Sequence, residues 1–181
     1  MNVKLIMLGN AGVGKTSLVR RWSNQYNNGT VSHTVGVDVS GHIIHTAKGL
    51  IKFRFFDISG TCHCPSLLKS YLFNADACCV VFDLTNDPSF LSAIELLDTV
   101  NKPTLLIGNK VDEESKRIVY GNDVRSVLSK HENVLYIETS AKTNENVKQA
   151  MILMLHHFVK RVNSTVHTYT DINKGKDCTI V

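Results

Sequence analysis

Residues 9–16 read GNAGVGKT and lie between a short apolar run at residues 3–8 and a segment with the apolar spacing of a helix. These eight residues match the pattern G-x-x-x-x-G-K-[ST]. In this pattern the glycines bring backbone amides against phosphate oxygens, the lysine reaches the outer phosphates, and the hydroxyl can coordinate Mg²⁺. The helix that follows directs the positive end of its dipole at the anion. The sequence therefore predicts a nucleotide phosphate site formed by Gly12, Val13, Gly14, Lys15, Thr16 and Ser17.

Outward from this loop, short β-rich runs alternate with helical ones. The runs at residues 37–47 and 51–57 flank Lys48 and Gly49, a spacing that predicts an antiparallel hairpin. Further strands are predicted at 77–84, 104–107 and 134–137, and helices at about 87–102, 122–130 and 147–158. Six strands and about five helices predict an α/β fold with a mostly parallel sheet, one antiparallel edge strand and helices on both faces.

The composition limits the class of protein. The chain has 181 residues, 43% hydrophobic and 20% charged, which fits one globular domain. Its net charge of +4 gives little reason to expect nucleic acid as a partner. Five cysteines, an odd number, and no export signal predict free thiols in a reducing cytosol. Apolar periodicity stops near Arg161, which predicts a nucleotide-binding domain at residues 1–161 and a flexible polar tail at residues 162–181.

Two polar turns that follow predicted strands indicate which base is bound. They read NKVD at residues 109–112 and TSAK at residues 139–142. Guanine offers an N1–H and an exocyclic amine as donors, and one carboxylate, that of Asp112, can accept both. The Ala141 N–H can meet the guanine O6 oxygen, Asn109 would tie the two turns together, and the stem of Lys110 would cover the base. The predicted base-reading residues are Asn109, Lys110, Asp112, Ser140, Ala141 and Lys142.

In combination these motifs resemble those of the Ras superfamily of small GTPases, over about residues 3–161. The resemblance implies the P-loop NTPase fold of that superfamily, GTP or GDP as ligand, Mg²⁺ as cofactor, and hydrolysis of GTP to GDP and phosphate. It implies that Thr34 closes on Mg²⁺ and the γ-phosphate, that Asp57 holds the metal through water, and that the Gly60 N–H senses the γ-phosphate. The implied metal residues are Thr16, Thr34 and Asp57, and the implied catalytic residues are Lys15, Thr34, Gly60 and Thr61.

Within the superfamily, the chain is most similar to the Rab branch. The similar segments are TVGVDV at 34–39, YLFNA at 71–75 and VVFDLT at 80–85. This resemblance implies a role in vesicle traffic, with an exchange factor, a GTPase-activating protein and effectors as partners. These partners would bind through switch segments near residues 27–39 and 58–73. Asn2 at the second position excludes N-myristoylation of the Arf type.

Several positions depart from the superfamily pattern. Thr61 stands where most members carry the Gln that orients the attacking water, and its shorter hydroxyl cannot both donate and accept as an amide can. We therefore expect slow unaided hydrolysis. Ala11 places a methyl group where an arginine finger would enter, which would hinder a stimulating partner. Asn27 replaces the aromatic residue that usually stacks on guanine, and the neighbouring Tyr26 is the candidate substitute.

Cysteines near the second switch and at the end of the chain suggest two further sites. Cys62, His63 and Cys64 are adjacent and lack the spacing of a zinc site, so this segment is predicted to shape a partner surface. The final four residues, CTIV, fit prenylation of Cys178, with the choice between farnesyl and geranylgeranyl left open. Since one lipid gives only marginal anchoring, the expected location is the cytosol with reversible attachment to the cytosolic face of a membrane.

Two other functions compete with a GTP/GDP switch. Thr61 and Ala11 together would suit a scaffold that binds GTP, recruits effectors and barely turns the nucleotide over. A P-loop kinase or ATPase would share the phosphate loop, but the guanine-reading turns disfavour it. The nucleotide retained after purification, its turnover, and competition between GDP and ADP distinguish the three.

Overall fold

The computed structural model describes residues 1–26, 34–46, 49–60 and 65–164. The predictions made for Asn27, Thr61, the segment 62–64 and Cys178 therefore concern residues outside the described part of the chain.

The fold is an α/β sandwich built on one sheet. Its six described strands are β1 (Asn2–Leu8), β2 (Val37–Thr46), β3 (Gly49–Ile58), β4 (Ala77–Asp83), β5 (Thr104–Asn109) and β6 (Val134–Thr139). They lie side by side in the order β2-β3-β1-β4-β5-β6. The β2–β3 pair is antiparallel and all the other pairs are parallel. The predicted fold class, with β2 as the antiparallel edge strand, is confirmed.

Helices cover both faces of this sheet. In the described ranges they are α1 (Lys15–Trp22), α2 (Pro65–Phe73), α3 (Asp87–Thr99), α4 (Gly121–Leu128) and α5 (Val147–Ser164), with a short 3₁₀ helix at Val111–Lys116. Helix α3 begins as its sequence predicts, because the Asn86 side chain accepts a hydrogen bond from the Ser89 N–H and Pro88 occupies the first turn. The sequence did not predict the 3₁₀ helix.

The two faces of the sheet bury separate hydrophobic cores. On β1, Leu5 and Met7 pack with α1 and α5, whereas Ile6 and Leu8 pack with the cluster that includes α3 and α4. Strands β4 and β5 are buried along their whole length, as expected of central parallel strands covered on both sides. Both faces being filled, the loops at the strand ends are where a ligand can bind.

The carboxyl ends of the parallel strands all lie at one edge of the sheet. The phosphate loop follows β1, Ser59 and Gly60 follow β3, and the two polar turns follow β5 and β6. The predicted motifs, far apart in the sequence, are therefore neighbours in space.

Cys78 and Cys79 are buried free thiols on β4. Burial raises the pKa of the Cys78 thiol to about 12 and also raises that of Cys79, so both act as small apolar side chains. Among the described helices, none combines the length and the apolar character needed to cross a bilayer.

Candidate nucleotide-binding site

The phosphate loop joins β1 to α1 and holds a buried lysine. Lys15 is 6% exposed, and its Nζ donates to the carbonyl oxygens of Gly9 and Asn10, both at 2.8 Å. Burial lowers the pKa of the Lys15 ammonium, and attraction to Asp57 opposes this effect only in part. A buried cation of this kind is stabilised by a bound anion, so the loop is electrostatically suited to phosphate.

The oxygen atoms of three predicted metal residues meet beside this loop. The hydroxyls of Thr16 and Thr34 lie 3.0 Å apart, and both donate to the Oδ2 atom of Asp57, that of Thr34 at 3.4 Å. Asp57 is 1% exposed, and its Oδ1 atom has no hydrogen-bond partner among the described residues. Burial raises the pKa of Asp57, although the Thr16 hydrogen bond and Lys15 oppose the shift. An all-oxygen group with one unsatisfied carboxylate oxygen fits a hard cation such as Mg²⁺.

Gly60 lies directly against the phosphate loop. A Cβ atom at Gly60 would fall 2.1 Å from the Ala11 nitrogen and 2.3 Å from the Asn10 carbonyl carbon. The preceding residue, Ser59, donates its N–H to the Gly36 carbonyl at 2.9 Å. The residues after β3 therefore contact both the phosphate loop and the segment that carries Thr34.

The side chain of Asn109 joins the phosphate loop to the second polar turn. Its Nδ2 donates to the Val13 carbonyl at 2.8 Å, and its Oδ1 accepts from the Ala141 N–H at 3.1 Å and the Thr139 hydroxyl at 3.2 Å. The predicted connection between the two turns is present in the structure, and the bond to Val13 is an addition to it. Because the Ala141 N–H already has Asn109 as an acceptor, a guanine O6 would share this donor.

Asp112 is held in place by the turn that follows β6. Its Oδ1 atom accepts from the Ser140 hydroxyl at 2.6 Å, and its Oδ2 atom lies 3.7 Å from the Lys142 Nζ. Ser140 is fully buried and in turn accepts from the Thr143 N–H at 3.0 Å. The Ser140 hydrogen bond thus orients the carboxylate that is predicted to read the base, and its Oδ2 atom lies near an exposed lysine.

Lys110 pairs with an acid that sequence reasoning missed. Its backbone has a φ of +71°, and its Nζ lies 2.6 Å from the Oδ2 atom of Asp83 at the end of β4. Burial alone would raise the pKa of Asp83, but hydrogen bonds from Lys110 and Thr85 outweigh it and hold the pKa below its usual value. The sequence feature that could have indicated Asp83 is its place as an ionisable residue at the end of an otherwise apolar strand.

The structure thus gathers most of the predicted site residues at one edge of the sheet. The phosphate loop, the oxygen cluster and the base-reading turns contact one another directly or through Asn109 and Asp57. Gly12 is exposed and Ser17 is half-buried. Thr61 lies outside the described residues. The assignment of these residues to nucleotide, metal and catalysis stays a prediction.

Comparisons with known proteins show similarity along most of the chain. Residues 4–160 match the model of the Ras family. The Ypt/Rab-type GTPase avaA of Emericella nidulans is 33% identical over 159 residues, a match that covers 82% of this chain and 78% of that protein. The Ras-related protein Rab-19 of Homo sapiens is 28% identical, covering 92% of this chain and 78% of that protein. The human EF-hand calcium-binding domain-containing protein 4B is 30% identical over 92% of this chain, which spans only 23% of that longer protein.

Gly60→Ala is expected to destabilise the protein, because the new methyl group would collide with backbone atoms of residues 10 and 11 that cannot move aside. Overpacking of this kind costs about 1–3 kcal/mol, measured by urea unfolding of the nucleotide-free protein. The matched control is Gly41→Ala on edge strand β2, where the nearest atom, the Phe53 carbonyl oxygen, is 3.4 Å away. Equal unfolding free energies for the two variants would contradict the prediction.

Asp83→Asn is expected to lower the free energy of unfolding by about 1 kcal/mol at pH 7. The pKa of Asp83 is lower in the folded protein than in the unfolded chain. Its stabilising effect is therefore complete above the unfolded pKa and is lost as the pH falls through the folded pKa. The difference between variant and wild type should shrink below about pH 4. Urea unfolding at neutral and acid pH checks this.

The control for Asp83→Asn is Glu95→Gln, which removes an exposed carboxylate from α3. It should change stability little at either pH. A loss for Asp83→Asn that persists undiminished in acid would show that the charge of Asp83 is not the cause.

Proposed function

The chain belongs to the Ras family of small GTPases, close to the Rab branch, and we propose that it is a GTP/GDP switch acting at a membrane in vesicle traffic. As a member of this family it binds GTP and GDP and hydrolyses GTP. The observation that carries the switch proposal is the cluster of Thr16, Thr34 and Asp57. In it a residue of the phosphate loop meets Thr34 of the first predicted switch segment and Asp57, which immediately precedes the second.

The roles of the residues follow from this arrangement. Lys15 would bind and neutralise the outer phosphates, since its ammonium is buried in the loop and no carboxylate of the described residues is in hydrogen-bond contact with it. Gly60 offers a backbone N–H next to the loop, and only a residue without a side chain can lie there. Contacts from Thr34 and Gly60 to a γ-phosphate would order both switch segments, and loss of that phosphate would release them.

Thr16, Thr34 and Asp57 are the residues that would hold Mg²⁺. The Oδ1 atom of Asp57, which has no hydrogen-bond partner in the described ranges, supports this assignment, because a buried carboxylate oxygen without a donor is costly unless a cation approaches it. When bound, Mg²⁺ supplies neutralising charge to the phosphates.

Asp112 would select guanine. Ser140 fixes one of its oxygens through a 2.6 Å hydrogen bond, and Asn109 aligns the neighbouring Ala141 N–H. The donors on the guanine edge then find an oriented carboxylate, whereas the adenine edge offers no matching pair of donors.

Unaided hydrolysis is proposed to be slow because Thr61 replaces the usual Gln. Gly60, the residue before Thr61 in the sequence, lies against the phosphate loop. A threonine there cannot orient water as an amide does. A GTPase-activating protein would have to supply the missing group, and the exposed Ala11 would narrow its route of entry.

The remaining parts of the chain are proposed to connect the switch to its partners. Residues 1–161 would form the GTP-binding domain, and residues 162–181 a tail ending in the prenylation site Cys178. Reversible attachment to the cytosolic face of a membrane follows from a single lipid. The exchange factor and effectors would bind the switch segments at 27–39 and 58–73.

Competition between GDP and ADP for the purified protein tests the proposed function. Wild type should prefer GDP strongly, and Asp112→Ala should lose about ten-fold or more of that preference, since hydrogen bonds from a charged acceptor to the base are removed. The control Glu113→Ala removes a neighbouring acid of the same 3₁₀ helix, paired with Lys116, and should leave the preference unchanged. Equal affinity of wild type for the two diphosphates would refute guanine binding.

Thr61→Gln is expected to raise the single-turnover rate of GTP hydrolysis about ten-fold or more, because it restores the amide that orients water. Thr61→Ala serves as the control and should hydrolyse GTP at about the wild-type rate. A wild-type rate already equal to that of Thr61→Gln would contradict slow hydrolysis. Recovery of wild type mainly bound to GTP, without turnover, would favour the scaffold function instead.

A further inference from the structure

Arg21, in the last turn of α1, contacts the second base-reading turn. Its Nε donates to the Ala141 carbonyl at 2.8 Å, and its Nη2 donates to the Lys142 carbonyl at 2.7 Å. Two successive carbonyl oxygens thus share one guanidinium group, a geometry that its planar fork suits and a single ammonium does not. In the described part of the chain, the hydrogen bonds of the Arg21 guanidinium go to the backbone of this turn.

The guanidinium of Arg21 is also in contact with an aromatic ring. The Cζ atom of Arg21 lies 3.4 Å from the centroid of the Tyr26 ring, a cation–π contact. Tyr26 immediately precedes the segment 27–33, which leads to Thr34 and the oxygen cluster. Arg21 therefore lies in contact with both the base-reading turn and Tyr26.

Helix α1 makes a second contact just beyond this turn. The buried Trp22 donates its Nε1–H to the Val147 carbonyl at 2.7 Å, at the start of α5. Helix α1 thus contacts the base-reading turn at residues 141–142 and the start of α5 at residue 147. Since α1 also begins with Lys15 and Thr16, one short helix fixes the base-reading turn relative to the phosphate loop.

We propose that Arg21 is a positioning residue for guanine recognition, clamping the turn that carries the Ala141 N–H and being held in place by Tyr26. This rests on the proposed function. The clamp is formed by residues of this chain alone, so it can hold the turn through contacts that do not involve the base, which would lower the cost of ordering the turn on binding. Loss of the clamp should weaken contacts to the base while leaving the phosphate contacts of Lys15 and Thr16 intact.

The test measures the dissociation rate of a fluorescent GDP analogue in Mg²⁺, together with competition by unlabelled GDP and ADP. Arg21→Met keeps the apolar stem and removes the donors, and it should release the analogue about ten-fold faster, as expected for the loss of a charged hydrogen bond. Its preference for GDP over ADP should fall while its affinity for ADP stays the same. A general loosening of the fold would weaken both nucleotides equally and keep the ratio.

Three further variants sharpen the result. Arg21→Lys, which retains the charge and reaches one carbonyl, should recover part of the loss. Arg20→Met removes the neighbouring cation, whose side chain has no hydrogen bond or ion pair to the described part of the chain, and should change the rate by less than about two-fold. Tyr26→Leu should accelerate release on its own but add little in the Arg21→Met background, because both act through the same contact.

The outcomes separate this inference from the function on which it rests. If wild type does not prefer GDP to ADP, the proposed function itself fails. If wild type prefers GDP but Arg21→Met keeps both its release rate and its preference, the positioning role of Arg21 is overturned. Additive effects of Tyr26→Leu and Arg21→Met would overturn the part assigned to Tyr26, as expected if that ring stacked on guanine instead.

Discussion

The amide of Asn109 is 2% exposed, and its described partners all belong to other segments of the chain. Its oxygen accepts from Thr139 and Ala141, and its nitrogen donates to the Val13 carbonyl. This leaves one amide hydrogen for a ligand. The same amide requires a glycine at position 14, because a Cβ there would lie 2.1 Å from the Asn109 nitrogen. The phosphate loop and the base-reading turns therefore have one compatible arrangement, and the rest of the site is built around it.

A second constraint is the burial of opposite charges at the phosphate end of the site. Lys15 and Asp57 are both buried. Burial lowers the pKa of Lys15 and raises the pKa of Asp57, so it favours the neutral form of each side chain. Buried charges of this kind lower the free energy of unfolding unless ligands of opposite charge bind to them. Anionic phosphate and a divalent cation are the complementary pair. Ligand binding at the phosphate end of the site is thus linked to folding, and bound ligands should raise the free energy of unfolding.

Local sequence patterns accounted for the sheet, the phosphate loop and the two base-reading turns. Each of these depends on neighbours in the sequence: apolar runs make buried strands, and glycine spacing makes the loop. The contacts of Arg21 with the turn at 141–142 and of Lys110 with Asp83 were not predictable, because they join residues that only the strand order brings together. The 3₁₀ helix was missed for a related reason, since a short polar segment has no apolar period. Helix α5 also continues to Ser164, beyond the apolar period that marked its core-facing side.

Helix α1 connects the two ends of the site mechanically. Its eight residues rise about 12 Å, from Lys15 at the phosphate end to Trp22 at the base end. Leu18 and Trp22 are buried in the core between α1, α5 and the sheet, so the helix cannot tilt without disturbing that packing. The phosphate loop and the base-reading turn are therefore joined through one buried helix, whereas Thr34 and Gly60 lie on segments outside that helix. Under the proposed function, α1 would hold the nucleotide-binding parts together while the contacts of Thr34 and Gly60 would depend on the γ-phosphate, so that a small change in the ligand would alter the surface presented to partners.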